Sequence, residues 1–408
     1  MRLSHLSLTN FRNFSHLELD LPPGVVIIYG RNAQGKTTLL EAIYILAIAR
    51  SSRAENEIEL VNWGAIEEGE DAIVSGTVDR RDERLRVHIG YRCASQPSSS
   101  PPSGRPRVRK EIRISRVRRT ASELVGLVNA VLFTADDIQL VGGPPSLRRR
   151  YLDILLSQTQ PIYLRSLQRY QRVVQQRNRL LRALQERRAE EKELAFWDGE
   201  LVTVGAGIIE ARRQAMNALS DLCAQRHRDL VDEDEGLSVE YRPNVRLETG
   251  SPTTEDVERA MASAVESAVR KDMAVGSTTV GPHRDDFQMR LGQVDMGSYA
   301  SRGQARTVAL ALRLAEAAYL DSARGEAPII LLDDVLSELD ASRRRRVLQR
   351  VTRYQQVVVT MTEPPDGEVV GNVWRPQAGA PAPVSFFRLE AGAVVPDRAM
   401  DKSLGQAG

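Results

Sequence analysis

A short apolar run, Val25-Val26-Ile27-Ile28, leads into Gly30-Arg31-Asn32-Ala33-Gln34-Gly35-Lys36-Thr37, and an apolar segment of helical length follows at 39–49. No other feature limits the fold as much. A strand apolar on both faces belongs inside a parallel sheet covered by helices. The two glycines let the backbone wrap closely enough for successive N–H groups to point at an anion. The start of the following helix adds its positive end. The spacing G-x-x-x-x-G-K-[ST] assigns Lys36, as an exposed loop side chain, to the β and γ phosphates of a nucleotide and the Thr37 hydroxyl to magnesium. An α/β domain built around a phosphate site follows, with ATP and Mg2+ as the expected ligands.

The matching half of such a site appears far downstream, where Ile329-Ile330-Leu331-Leu332-Asp333-Asp334 reads as a second buried strand ending in two acids. Asp333 is placed to hold magnesium through water, and Asp334 to orient or deprotonate the attacking water. Two acids can also simply cap a turn. Hydrolysis requires both halves of the site, and both are present. Ser301-Arg302-Gly303-Gln304 opens an alanine- and leucine-rich helix and admits two readings. It is a capping box, or its hydroxyl and free N–H groups receive the γ-phosphate of a nucleotide held by another subunit. Ser337-Glu338-Leu339-Asp340 follows two residues after the acids.

Periodicity supplies the domain plan. Residues 3–14 and 17–21 alternate as a strand pair, and 73–92 as another. A Pro/Ser-rich stretch at 95–106 reads as a mobile loop. Further strand-like sequence lies at 112–114 and 131–133. From 146 to 230 the period becomes helical. Leu167, Tyr170, Val174, Leu181 and Leu184 form one stripe, interrupted by Arg177. After a break at Trp197-Asp198-Gly199, a second stripe runs through Leu201, Val204, Ile208, Ala211, Ala215, Ala218 and Leu222. Two such stripes predict an antiparallel helical hairpin or arm. Strand–helix–strand order returns beyond 277, with strands at 328–332 and 357–359 around a basic helix at 341–353, and one more strand at 385–390. The expected plan is an ATPase domain split into 1–140 and 273–395, a mainly helical insertion at 141–272, and a disordered tail at 396–408.

A net charge of +2 on 408 residues hides strong local imbalance. No window approaches the roughly 18 consecutive apolar residues of a membrane span, and the N-terminus lacks a signal peptide's apolar core. No membrane partner is expected, and the expected compartment is the cytoplasm, with the nucleoid. Cys93 and Cys223 stand far apart with no metal-ligand spacing, which excludes a disulfide framework or a zinc site.

These segments, in this order, resemble the ABC ATPase superfamily, and within it the DNA-acting SMC and RecF branch. The likeness to the RecF family is closer still. It rests on Leu8-Thr9-Asn10-Phe11-Arg12-Asn13-Phe14, Leu40-Glu41-Ala42-Ile43-Tyr44, Phe133-Thr134-Ala135-Asp136-Asp137, the segments at 145–153 and 281–286, and Leu332-Asp333-Asp334-Val335-Leu336-Ser337-Glu338-Leu339-Asp340. The resemblance implies an ABC-type head with a mixed sheet plus a helical arm. It implies a homodimer closed by two sandwiched ATP molecules and binding to DNA, whether duplex, gapped or single-stranded, notably at duplex/single-strand junctions. It also implies slow DNA-stimulated hydrolysis and work with RecR and RecO in loading RecA. Carried over residue by residue, Arg12, Gly30, Asn32, Gly35, Lys36, Thr37 and Thr38 hold the nucleotide. Ser301, Gly303, Gln304 and Asp340 reach it across the dimer. Asp334 and Lys36 serve catalysis, and Thr37 and Asp333 the metal. The family's switch threonine corresponds to Thr360 or Thr362. The 95–106 stretch and the tail from Glu363 are longer than the family's, so no role is carried onto them.

Basic residues cluster at 105–119, 148–150, 165–188 and 343–346. Any one such run is usually a solvated face. Those with few acids, at 105–119 and Arg148, Arg149 and Arg150, are the better DNA candidates. With aromatics at 5%, phosphate contacts should outweigh base stacking. A transporter ATPase subunit explains the motifs but not the switch threonine or the arginine-rich arm. A P-loop kinase or adaptor leaves Ser301, Gln304, Ser337 and Asp340 without a role.

Overall fold

The computed structural model describes residues 1–93, 108–247, 253–364, 383–390 and 392–397. The expected loop at 95–106 and nearly all of the expected tail lie outside the described residues. The chain divides into two compact units, Met1–Asp136 with Glu316–Gly408, and Asp137–Ala315.

The first half of the chain contributes β1 (Arg2–Phe11), β2 (Phe14–Asp20), β3 (Gly24–Tyr29), β4 (Ala72–Asp79), β5 (Arg84–Cys93), β6 (Val108–Ile114), β7 (Val117–Arg119) and β8 (Ala130–Thr134). The middle segment holds β9 (Leu237–Arg242), β10 (Asp286–Leu291) and β11 (Val294–Asp295). The return adds β12 (Ile329–Asp333), β13 (Gln356–Met361), β14 (Val384–Glu390) and β15 (Ala393–Pro396).

In the first unit, β2-β1-β4-β5-β6-β7 form an antiparallel sheet and β15-β14-β3-β13-β12-β8 a mixed one. Strands β14, β3, β13, β12 and β8 run parallel, and β15 closes one edge antiparallel. All six residues of β3 are buried, as its unbroken apolar run requires. The helix Lys36–Ile48 is buried at eleven positions, because it touches β4 and β5 of one sheet and β8, β12 and β13 of the other. A helix enclosed on all sides carries apolar residues all round and no stripe. The architecture is the expected α/β head with a mixed sheet.

The second unit packs the helices Pro145–Thr159, Pro161–Gln185, Leu194–Leu230 and Thr254–Val275 with the small sheet β11-β10-β9. It extends past the expected 272, because β10, β11 and the start of the helix Arg302–Arg324 pack with the helices. The break in the hairpin is also displaced. The helix Leu194–Leu230 runs straight through Gly199, and the chain reverses at 186–193, where Arg187 takes a left-handed φ of 55°.

Both apolar stripes differ from expectation at an arginine. The stripe on Pro161–Gln185 is not interrupted by Arg177. That residue is fully buried, donating to Asp198, Asp272 and Thr278. On Leu194–Leu230 the buried face passes through Arg212, Leu219 and Cys223, each one residue beyond the expected Ala211, Ala218 and Leu222. Arg212 is 2% exposed and held by Tyr163, Asp153, Asp285 and the Pro282 carbonyl. Among the described residues no helix is long and apolar enough to cross a membrane, and Cys93 and Cys223 are free thiols.

Candidate nucleotide site

The site grows out of the end of β3. A Cβ at Gly30 would stand 2.3 Å from the Leu389 carbonyl oxygen on neighbouring β14, so only glycine fits. Gly35 has φ 110°, and a Cβ there would meet the Asn13 amide at 2.5 Å. The helix then opens at Lys36. The β1–β2 turn, with Arg12 at φ 54°, reaches the same loop, where Asn13 Nδ2 donates to the Gln34 carbonyl at 3.0 Å.

Lys36 is 7% exposed, not an exposed loop side chain, and its Nζ donates to the carbonyls of Gly30 at 2.6 Å and Arg31 at 2.9 Å. Burial lowers its pKa against the opposing pull of Asp334 and Asp333. A cation held on two carbonyls exchanges them readily for charged phosphate oxygens.

Parallel pairing of β12 with β13 sets Asp333 directly opposite Thr360. The Asp333 Oδ1 accepts from the Thr37 hydroxyl at 3.0 Å and the Thr360 hydroxyl at 2.9 Å. Burial raises the Asp333 pKa, while those two hydroxyls and Arg53 act to lower it. Asp334 takes a left-handed φ of 53°. Its N–H donates to the Thr360 hydroxyl at 3.1 Å, and its Oδ1 is buried with no partner among the described residues. A buried carboxylate oxygen left unpaired is expensive, and such groups mark functional sites. Of the two candidate switch threonines, Thr360, fully buried, is the one beside both acids.

Arg12, Asn32, Gly35, Lys36, Thr37, Thr38, Asp333 and Asp334 line a single cavity of about 650 Å³, within the range of small-ligand sites. The Arg12 guanidinium is engaged by Glu41, at 2.9 and 3.1 Å, so it borders the cavity as half of an ion pair. Sequence reasoning missed Arg53, Glu59, Asn62 and Trp63, which line the same cavity. Trp63 is 83% exposed, on a short helix whose cap, Asn62, also donates to the Arg12 carbonyl. The one available signal was a tryptophan inside a polar, aperiodic stretch.

Ser301, Gly303 and Gln304 belong to the second unit. Ser301 N–H donates to Gln304 Oε1 at 3.1 Å and Gln304 N–H to Ser301 Oγ at 3.2 Å. The capping box is therefore formed. Ser301 and Gly303 nevertheless stay exposed, with open space where a Gly303 side chain would be. Asp340 caps the helix Ala341–Val351 by accepting from the Arg343 N–H at 2.8 Å, a bond that also lowers its pKa.

Of the expected DNA contacts at 148–150, Arg148 needs correction, while Arg149 and Arg150 are half-buried. Arg148 is buried, paired with Asp286 at 2.6 and 2.9 Å and bonded to the Gly143 carbonyl at 2.8 Å. Arg149 donates to the Asp285 carbonyl at 2.8 Å, and Arg150 also has a partner. Three consecutive arginines on a helix point in three directions, and Arg148 and Arg149 brace the second unit.

The model of the family described as RecF/RecN/SMC N terminal domain matches residues 2–369. The DNA replication and repair protein RecF of Chloroflexus aurantiacus is 40% identical over 372 residues, 89% of this chain and 94% of that protein. The RecF protein of Roseiflexus castenholzii is also 40% identical, over 93% and 99% of the two chains. Among solved structures, one described as the recombination mediator protein RecF-ATP in the RecFOR pathway superposes with a TM-score of 0.83 at 30% identity, covering 97% of each chain. An Smc head domain bound to ScpA, at 16% identity and a TM-score of 0.51, shares the fold.

Proposed function

The chain belongs to the RecF family, and on that premise we propose that it is an ATP-dependent DNA-binding protein of recombinational repair and replication-fork maintenance. Two copies close on two ATP molecules. The Lys36 loop of each protomer holds one nucleotide, and Ser301, Gly303, Gln304 and Asp340 cover the nucleotide bound by the facing protomer. The closed dimer binds DNA at duplex/single-strand junctions and gaps and, with RecR and RecO, helps load RecA. Hydrolysis is slow and DNA-stimulated, and it reopens the dimer.

The observation that carries the reading is the meeting of Lys36, Thr37, Asp333 and Asp334 in one cavity, backed by Thr360. Lys36 leaves the Gly30 and Arg31 carbonyls for phosphate oxygens. Thr37 Oγ1 and Asp333 Oδ1, a pair of hard oxygen donors 3.0 Å apart, fit Mg2+. When bound, the ion neutralises charge on the β and γ phosphates. Asp334 is the residue free to orient a water, because its Oδ1 has no other partner among the described residues. Thr360 fixes both acids from behind. Relatives named for DNA replication and repair, and a solved relative described with ATP, support the reading.

The test is calorimetry on Lys36→Ala. ATP affinity should fall at least about tenfold, as removal of one charge-assisted hydrogen bond implies, while circular dichroism stays that of the parent. Unchanged affinity would sink the reading.

A further inference from the structure

The antiparallel sheet of the first unit has one face buried and one open, and its charge is graded across the open face. Cross-strand pairing aligns Glu18, Ser7, Ser75, His88, Arg113 and Arg118 in one row from β2 to β7. On either side of that row lie Arg84, Arg86 and Arg92 of β5 and Arg109 of β6. All six of these arginines are exposed, while Val87, Ile89, Ile112 and Ile114 point inward. One carboxylate, Glu111, sits among them at 8% exposure and gathers Arg113 at 2.7 Å and Arg92 and Arg118 at 3.2 Å each. Asp71 and Asp79 lie at the margins. Arg86 and Arg109 have no carboxylate partner among the described residues.

Arginines on β7 alone would be accounted for by protection of a sheet edge against pairing with other strands. That account fails for Arg84, Arg86 and Arg92, because β5 lies between β4 and β6. Side chains two residues apart on one strand stand roughly 7 Å from each other, and adjacent strands about 4.8 Å apart. The result is a grid of planar, bidentate phosphate donors, with no exposed aromatic among its described residues for base stacking. It suits a regular polyanion, and duplex DNA presents one charge per roughly 1.7 Å of axis.

We propose that the open face of β5–β7, centred on Arg86, Arg109, Arg113 and Arg118, is the surface that binds the phosphate backbone of duplex DNA. This rests on the DNA-binding reading above and replaces Arg148, Arg149 and Arg150 as the contact.

The experiment compares the full chain with the Arg86→Ala/Arg109→Ala/Arg118→Ala variant, using a fluorescein-labelled duplex and ATP across a salt series. The slope of log affinity against log salt should flatten by roughly 2 to 3, about 0.9 for each phosphate no longer neutralised, with ATP affinity and melting temperature unchanged. An Arg169→Ala/Arg172→Ala/Arg179→Ala control, which removes equal charge from the helix Pro161–Gln185, should keep the parent's slope. A parent-like slope in the sheet variant, or an equal flattening in the control, overturns the assignment while leaving the DNA reading intact. A parent that binds no duplex overturns both. Loss of binding to phosphatidylglycerol vesicles with duplex affinity retained would give the face to a lipid surface and also overturn it.

Discussion

Trp63 and Lys36 show how one cavity combines a residue that spacing identifies with one that it does not. Lys36 stands at a fixed offset from two glycines, and phosphate chemistry dictates that offset. Trp63 reaches the same cavity because the bridge Phe11↔Val61 and the bond from Asn62 to the Arg12 carbonyl fold residues 61–63 back onto the β1–β2 turn. A large aromatic ring, 83% exposed, lines the same cavity as the phosphate loop, and the expectation is that it covers a nucleotide base. Stacking of a base on an aromatic ring is worth about 1–3 kcal/mol. Trp63→Ala should therefore weaken ATP binding by roughly fivefold or more, Trp63→Phe should retain most of it, and inorganic triphosphate should bind all three proteins alike. Equal ATP affinity in Trp63→Ala would show that the ring faces something else.

At the scale of elements, the errors share one cause. The helices Pro161–Gln185 and Leu194–Leu230 are evident from their apolar period, yet on each the buried face contains an arginine that the apolar stripe left out. Arg177 meets Asp198 and Asp272, and Arg212 meets Asp153 and Asp285. Each guanidinium is buried together with one acid from a remote segment, Asp272 for Arg177 and Asp285 for Arg212, and no local period records that. Removing one partner of a buried ion cluster leaves uncompensated charge, at about 3–5 kcal/mol. Arg177→Leu should lower the melting midpoint of the second unit by roughly 10 °C, at about 2–4 °C per kcal/mol for a unit of this size. A midpoint within a degree or two of the parent's would mean that Asp198 and Asp272 find other partners at no cost.

For the whole molecule, the open question is what Ser301 does beyond its cap. The reciprocal bonds with Gln304 satisfy a capping role, and if that is its whole role Ser301→Arg costs about 1 kcal/mol and changes nothing else. The dimer reading predicts more. With ATP and magnesium, Ser301→Arg should bind ATP normally, stay monomeric in sedimentation velocity and fail to hydrolyse. Asp334→Asn should instead accumulate as a lasting dimer, because closure precedes the step in which Asp334 acts. A Ser301→Arg protein that dimerises and turns over ATP would reduce the serine to its cap.

Sequence by itself determined the parts whose chemistry is local. These are the strand–loop–helix of the phosphate loop, the strand ending in Asp333 and Asp334, the split α/β plan and the helical arm, each written in a spacing or a period. Tertiary structure decided what depends on remote segments meeting. Pairing of β12 with β13 selected Thr360 over Thr362. Burial beside Asp286 took Arg148 away from solvent, and the register of β5, β6 and β7 assembled separate arginines into one face. A side chain's partners are set by which strands and helices adjoin, and adjacency between separate elements leaves no periodic trace in the chain.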